Sequence, residues 1–131
     1  DNVAEQVKAL TDGKGVDMAL DSVGKISAEA SLSSLKKRGW FVSYGNASGP
    51  VDPIAPARLS AGGSLVMTRP GLFHFIDTPE ALARGAKLLF AALQAGTLKA
   101  EIGQRFALAD VAEAHRALES GKTTGATVLI P

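Results

Sequence analysis

An α/β fold on a parallel sheet is predicted by three features: short apolar runs, helix-length segments between them, and a composition able to fill a core. Residues 16–20, 40–44 and 64–68 are brief apolar stretches with little polar alternation, the pattern of strands covered on both faces. The segments joining them are too long for hairpin turns. Consecutive strands must therefore run parallel through right-handed crossovers, as half of a doubly wound sheet. Of 131 residues, 46% are hydrophobic and 21% charged, ordinary values for a globular protein.

Asn2, with Glu5 three residues on, reads as a capping box opening the first helix, whose Val3, Val7 and Leu10 share a face. Asp12, Gly13, Lys14 and Gly15 end it, since glycine accepts the left-handed backbone of a helix stop. The strand 16–20 runs into Asp21, Ser22, Val23 and Gly24. A second helix carries Ala28, Leu32 and Leu35 on one face; Lys36, Lys37 and Arg38 complement its dipole and Gly39 closes it. After the strand 40–44 comes the loop Gly45, Asn46, Ala47, Ser48 and Gly49. Pro50, Pro53 and Pro56 keep the next stretch irregular or briefly helical, and Arg69 and Pro70 end the strand 64–68. Thr78 and Pro79 start a long helix with Leu82, Ala86, Leu89 and Leu93 as its buried stripe and Gly96 as its stop. The tail offers extended pieces at 98–102 and 104–108, a helix over about 110–120 and a last strand at 127–130.

Several functional classes fall away on composition. The net charge is +1 and its cations are scattered, which argues against nucleic acid or an acidic membrane surface as partner. With no cysteine, disulfides and thiolate metal sites are excluded. No apolar run reaches the ~20 residues that span a bilayer, so a cytosolic location is expected. The opening Asp1, Asn2, Val3 carries no initiator Met and leads straight into a helix, as a piece of a longer chain would.

Ligands of open parallel sheets lie beyond the carboxyl ends of the strands, near the point where strand order reverses. Three segments leave strands there: residues 21–24, 44–49 and 68–73. These form the expected ligand rim.

Gly15-Val16-Asp17, Asp21-Ser22-Val23-Gly24, Ser43-Tyr44-Gly45-Asn46-Ala47-Ser48-Gly49 and Thr68-Arg69-Pro70, in that order, resemble quinone oxidoreductases of the medium-chain dehydrogenase/reductase superfamily. In the tail, Gly103-Gln104-Arg105, Ala114-His115, Leu118-Glu119, Thr124-Gly125 and Leu129-Ile130-Pro131 agree. The resemblance implies a Rossmann nucleotide-binding domain, of which residues 1–95 are the C-terminal half, and a GroES-like catalytic domain, to which residues 96–131 return. It implies hydride transfer from NADPH, with NADH left open, to a quinone, without zinc or any other metal, and no catalytic side chain is singled out. Its cofactor-binding positions would be Ser22, Val23, Gly45, Asn46, Ala47, Pro70, Gly71, Leu72 and Phe73. Val23 would pack near the nicotinamide ribose, Gly45 would let backbone approach the ligand, and Pro70 to Phe73 would close the other side. It also implies a homodimer through the edge strand 64–68 (Ser64, Leu65, Val66, Met67, Thr68). The glycine loop that cradles the pyrophosphate is missing: Gly13-Lys14-Gly15 and Gly62-Gly63 precede strands instead of linking a strand to a helix. The chain alone is therefore expected to be inactive. An enoyl reductase of the same superfamily, or a non-catalytic NADPH-binding or structural protein, are the alternatives.

One departure concerns the C-terminus, where several members carry arginine before Thr-x-Gly; here Gly121 and Lys122 stand there. Asp21 reads equally as a turn former and as a cofactor contact. Arg69 is expected to make a surface or interface salt bridge, and His115 to be a partly buried, hydrogen-bonded core histidine. His74 lies near the rim without an evident catalytic task.

Overall fold

The computed structural model describes residues 2–131, which divide into two compact units, one ending at Phe75 and the other running from Ile76 to Pro131. The first unit opens with α1 (Val3–Leu10), where the Asn2 side chain accepts the Glu5 amide hydrogen at 3.3 Å. Then follow β1 (Val16–Asp21), α2 (Ala28–Ser33), β2 (Leu35–Ser43), α3 (Pro56–Ala61) and β3 (Val66–Thr68). The strands form one parallel sheet in the order β1-β2-β3. Ala19 lies beside Phe41, which lies beside Met67; Met18, Trp40 and Val66 form the next row.

Because successive residues of a strand face opposite ways, these two rows lie on opposite sides of the sheet. Phe41, fully buried, packs with Leu32, Ala28, Leu35 and Leu65, so α2 and the approach to β3 cover one face. Met18, Trp40 and Val66 on the other face stay exposed.

Three local expectations change here. The second helix stops at Ser33, and Lys36, Lys37 and Arg38 sit within β2 instead of capping a helix dipole. They make an excursion between Leu35, which pairs with Val16, and Trp40, which pairs with Met18. Arg38 takes a left-handed φ of 61° and donates its amide hydrogen to the Gly63 carbonyl at 2.8 Å, closing the excursion. The apolar spacing of Ala28, Leu32 and Leu35 reported a shared core, not a continuous helix. The third strand is also shorter than expected: Ser64 has φ 58° and Leu65 turns into the core, so pairing begins at Val66.

The second unit contains α4 (Pro79–Gln94), β4 (Ile102–Ala107), α5 (Val111–Glu119) and β5 (Ala126–Ile130). Thr78 caps α4, its hydroxyl oxygen accepting the Ala81 amide hydrogen at 3.1 Å, and proline follows in the first turn as expected. Of the stripe expected to be buried, Leu82, Leu89 and Leu93 are exposed and Ala86 is half-buried. β4 and β5 pair in parallel with α5 crossing between them, and residues 98–101 are not a strand. His115 is exposed and belongs to an open recess with Val111, Ala114, Leu118, Thr127 and Leu129, not to a core.

Candidate functional site

The carboxyl ends of β1 and β2 lead into two loops that are bonded along their length. Tyr44 and Gly45 donate their amide hydrogens to the Asp21 carbonyl at 2.9 and 3.3 Å; Ala47 donates to Ser22 at 3.2 Å and Ser48 to Val23 at 2.8 Å. The Ser48 hydroxyl donates to the Val23 carbonyl at 2.7 Å, and Lys25 reaches the Gly49 carbonyl at 3.0 Å. Expected rim residues Ser22, Val23, Gly45, Asn46 and Ala47 are thus brought together by the backbone itself.

Asp21 organises the first loop. Only 3% exposed, its carboxylate accepts the amide hydrogens of Val23 and Gly24 at 2.9 and 2.8 Å. It also accepts the hydroxyls of Ser27 and Ser31, each at 2.7 Å. Burial pushes this carboxyl up, but the bonds from Gly24, Ser31, Ser27 and Val23 outweigh it and hold it below its ordinary value. With its lone pairs so committed, Asp21 serves as the turn former of the two earlier readings.

Two glycines allow the loops to touch. Gly24, at φ 92°, lies against the second loop, where an added Cβ would come within 3.2 Å of the Asn46 Cα. A Cβ at Gly45 would stand 2.7 Å from the Ser22 Cα and 2.8 Å from its carbonyl carbon, with the oxygen closer still. The space that Gly45 keeps free in this direction belongs to the neighbouring loop.

Arg69 joins β3 to the same loops, which sequence reasoning missed. It forms no salt bridge among the described residues. Instead Nη1 donates to the Ser43 carbonyl at 3.0 Å, the Ser43 hydroxyl at 3.3 Å and the Gly45 carbonyl at 3.0 Å. Asn46, with its amide oriented to suit both neighbours, donates from Nδ2 to the Gly45 carbonyl at 2.8 Å and accepts from Arg69 Nη2 at 3.3 Å. Ser43, Asn46, Pro50, Val51, Met67 and Arg69 line an open recess of about 230 Å³ at the ends of β2 and β3.

Pro70 follows Arg69 directly. Leu72 and Phe73 stand exposed on a short 3-10 turn, Leu72–His74, closed by a bond from the His74 amide to Gly71 at 3.0 Å. No hydrogen bond ties Gly71, Leu72 or Phe73 to the two loops among the described residues. His74 is exposed on the same turn.

A sequence profile for the family described as "Zinc-binding dehydrogenase" matches residues 1–129. The chain belongs to this family. Within it, the chain is similar to quinone oxidoreductases and corresponds to their C-terminal portion. A quinone oxidoreductase of Pseudomonas aeruginosa is 50% identical over 131 residues, covering 100% of this chain and 40% of the relative. A 2-haloacrylate reductase from a Burkholderia species is 41% identical over 129 residues, 98% of this chain and 39% of that protein. Among solved structures, the Escherichia coli quinone oxidoreductase complexed with NADPH superposes with a TM-score of 0.89. It is 39% identical and covers 100% of this chain and 41% of its own. This family member thus spans about two fifths of the length of the curated relatives it matches. Despite the family's description, no group of three or more His, Cys, Asp or Glu that could hold a metal occurs among the described residues. Nor is any described helix long and apolar enough to cross a membrane.

Proposed function

We propose that this chain is part of a cytosolic, zinc-independent oxidoreductase that moves a hydride from NADPH to a quinone. The observation that carries the reading is the similarity to quinone oxidoreductases along the chain's whole length, with a relative solved as an NADPH complex. In this reading Ser22, Val23, Gly45, Asn46, Ala47 and Pro70 to Phe73 face the nicotinamide half of the cofactor. The recess suits that half: it offers an amide, apolar walls from Val51 and Met67, and no carboxylate. The cofactor, when bound, supplies the hydride. The protein's share is to orient the ring and keep water away, so no nucleophile is required. Residues 1–95 belong to the nucleotide-binding domain and 96–131 to the catalytic domain of the whole protein. Turnover of a small benzoquinone by the full-length protein, with NADPH and with NADH, tests class and cofactor together; no turnover with either sinks the reading.

A second reading is favoured by one observation, the 41% identity to a 2-haloacrylate reductase. It makes the acceptor an activated carbon–carbon double bond, as for an enoyl reductase. Parallel assays with an enone and a quinone separate the two. NADPH binding without turnover of either would point to a non-catalytic protein.

The 131-residue chain by itself is expected to show no NADPH binding in isothermal titration. Gly13-Lys14-Gly15 and Gly62-Gly63 lead into β1 and β3, at the strand ends opposite the rim, and cannot cradle a pyrophosphate there. Micromolar, saturable binding would move the boundary of the nucleotide site.

The whole protein is also proposed to form a homodimer through β3. Among the described residues that strand pairs on one side only, and Val66 and Met67 are exposed. Successive amides of a strand point opposite ways, so Val66→Pro and Met67→Pro together test both edges of the ladder. In an isologous contact each loss counts twice, and one of the two variants should shift the full-length dimer to monomer in light scattering. A dimer unchanged in both variants places association elsewhere.

A further inference from the structure

Arg69 and Asn46 meet at the ends of β2 and β3. An amide side chain carries two N–H donors and one carbonyl acceptor, and rotation by half a turn exchanges them. Assigned from its polar neighbours, the amide gives one hydrogen of Nδ2 to the Gly45 carbonyl and accepts Arg69 Nη2 on Oδ1. The opposite orientation would set oxygen against the Gly45 oxygen and NH2 against the guanidinium, two repulsive contacts in place of two bonds. Arg69 is itself fixed by the Ser43 and Gly45 carbonyls and is not drawn away by any carboxylate among the described residues.

We propose that Arg69 is a positioning residue that locks the exposed Asn46 amide as a hydrogen-bond donor, its second N–H free to bind a carbonyl-type oxygen of the ligand. A carboxamide, a quinone and an enone each carry such an oxygen. Lysine cannot replace Arg69 here: a single ammonium at the end of a flexible stem does not reproduce the planar fork that serves Ser43, Gly45 and Asn46 at once. The inference rests on the proposed function only in taking the rim as the ligand site.

The test uses the full-length protein with NADPH, a benzoquinone and an enone. Asn46→Asp keeps an acceptor for Arg69 but has no donor. It should stay folded, its melting temperature lowered only by the carboxylate oxygen it sets toward the Gly45 oxygen, while NADPH affinity or kcat/KM falls about ten- to a hundredfold, the scale of one unsatisfied hydrogen bond. Arg69→Lys should show the same loss, and Arg69→Ala should regain part of its activity with added guanidinium. A folded Arg69→Lys with wild-type affinity and wild-type kcat/KM overturns the positioning role, and Asn46→Asp tests the donor. Wild-type affinity and wild-type kcat/KM in Asn46→Asp overturn the inference. A wild-type protein that binds NADPH but reduces neither acceptor overturns the proposed reaction, while the Asn46→Asp affinity still decides the donor assignment.

Discussion

Gly45→Ala in the full-length protein is expected to lower the melting temperature almost as much as Gly45→Val. The first added carbon already meets the Ser22 backbone, 2.7 Å from its Cα, and backbone cannot swing aside as a side-chain tip would. Relief requires the two loops to part, which breaks bonds such as Ala47 to Ser22 and Ser48 to Val23. Overpacking of this kind costs about 3 kcal/mol, or roughly 5 °C and more for a domain of ordinary size. Thermal unfolding of the two variants distinguishes this from a purely ligand-facing role. If alanine is harmless, and valine leaves the melting temperature intact while abolishing activity, the glycine is kept for the ligand.

Asp21→Ala should be comparably damaging. It removes the acceptor of the Val23 and Gly24 amides and of two hydroxyls, in a place only 3% exposed. Each buried donor left without a partner costs about 1–3 kcal/mol, so a loss of about 3 kcal/mol is expected in urea or thermal unfolding. The acid side of the stability profile gives a second readout. Because the carboxyl is held below its ordinary value in the folded state, its contribution is complete above about pH 4 and disappears as pH falls through the depressed value. Asp21→Asn should flatten that part of the profile. An unchanged profile would mean that other carboxylates govern it.

Strand positions were legible in the sequence because a parallel strand buried on one or both sides writes its apolar run directly. Residues 16–20 and 40–44 fall in or beside β1 and β2, and Thr78-Pro79 marks the start of α4. Where the sequence misled, burial and local structure had come apart. Leu35 keeps helical spacing from Ala28 and Leu32 yet reaches the same core from a strand. At the rim, the loops 21–24 and 44–49 were found by topology. Arg69 fell in the rim segment 68–73, but its tie to those loops was not legible, because its partners are the carbonyls of Ser43 and Gly45, groups that every residue has and no sequence distinguishes. An arginine directly after a strand without a nearby acidic residue is the signal that could have raised it.

The lacing of the two loops makes the rim unequal in compliance. From Asp21 to Gly49 the backbones share bonds at every few residues, so a force on one loop is carried at once by the other and by the buried Asp21 beneath. Beyond Pro70 the chain holds itself by local bonds, His74 to Gly71 and Phe75 to Leu72. One wall is therefore a stiff template and the other a spring. In the proposed reading, acceptors of different bulk would be accommodated on the side of Leu72 and Phe73, with the bonds that hold Gly45 and Asn46 left undisturbed.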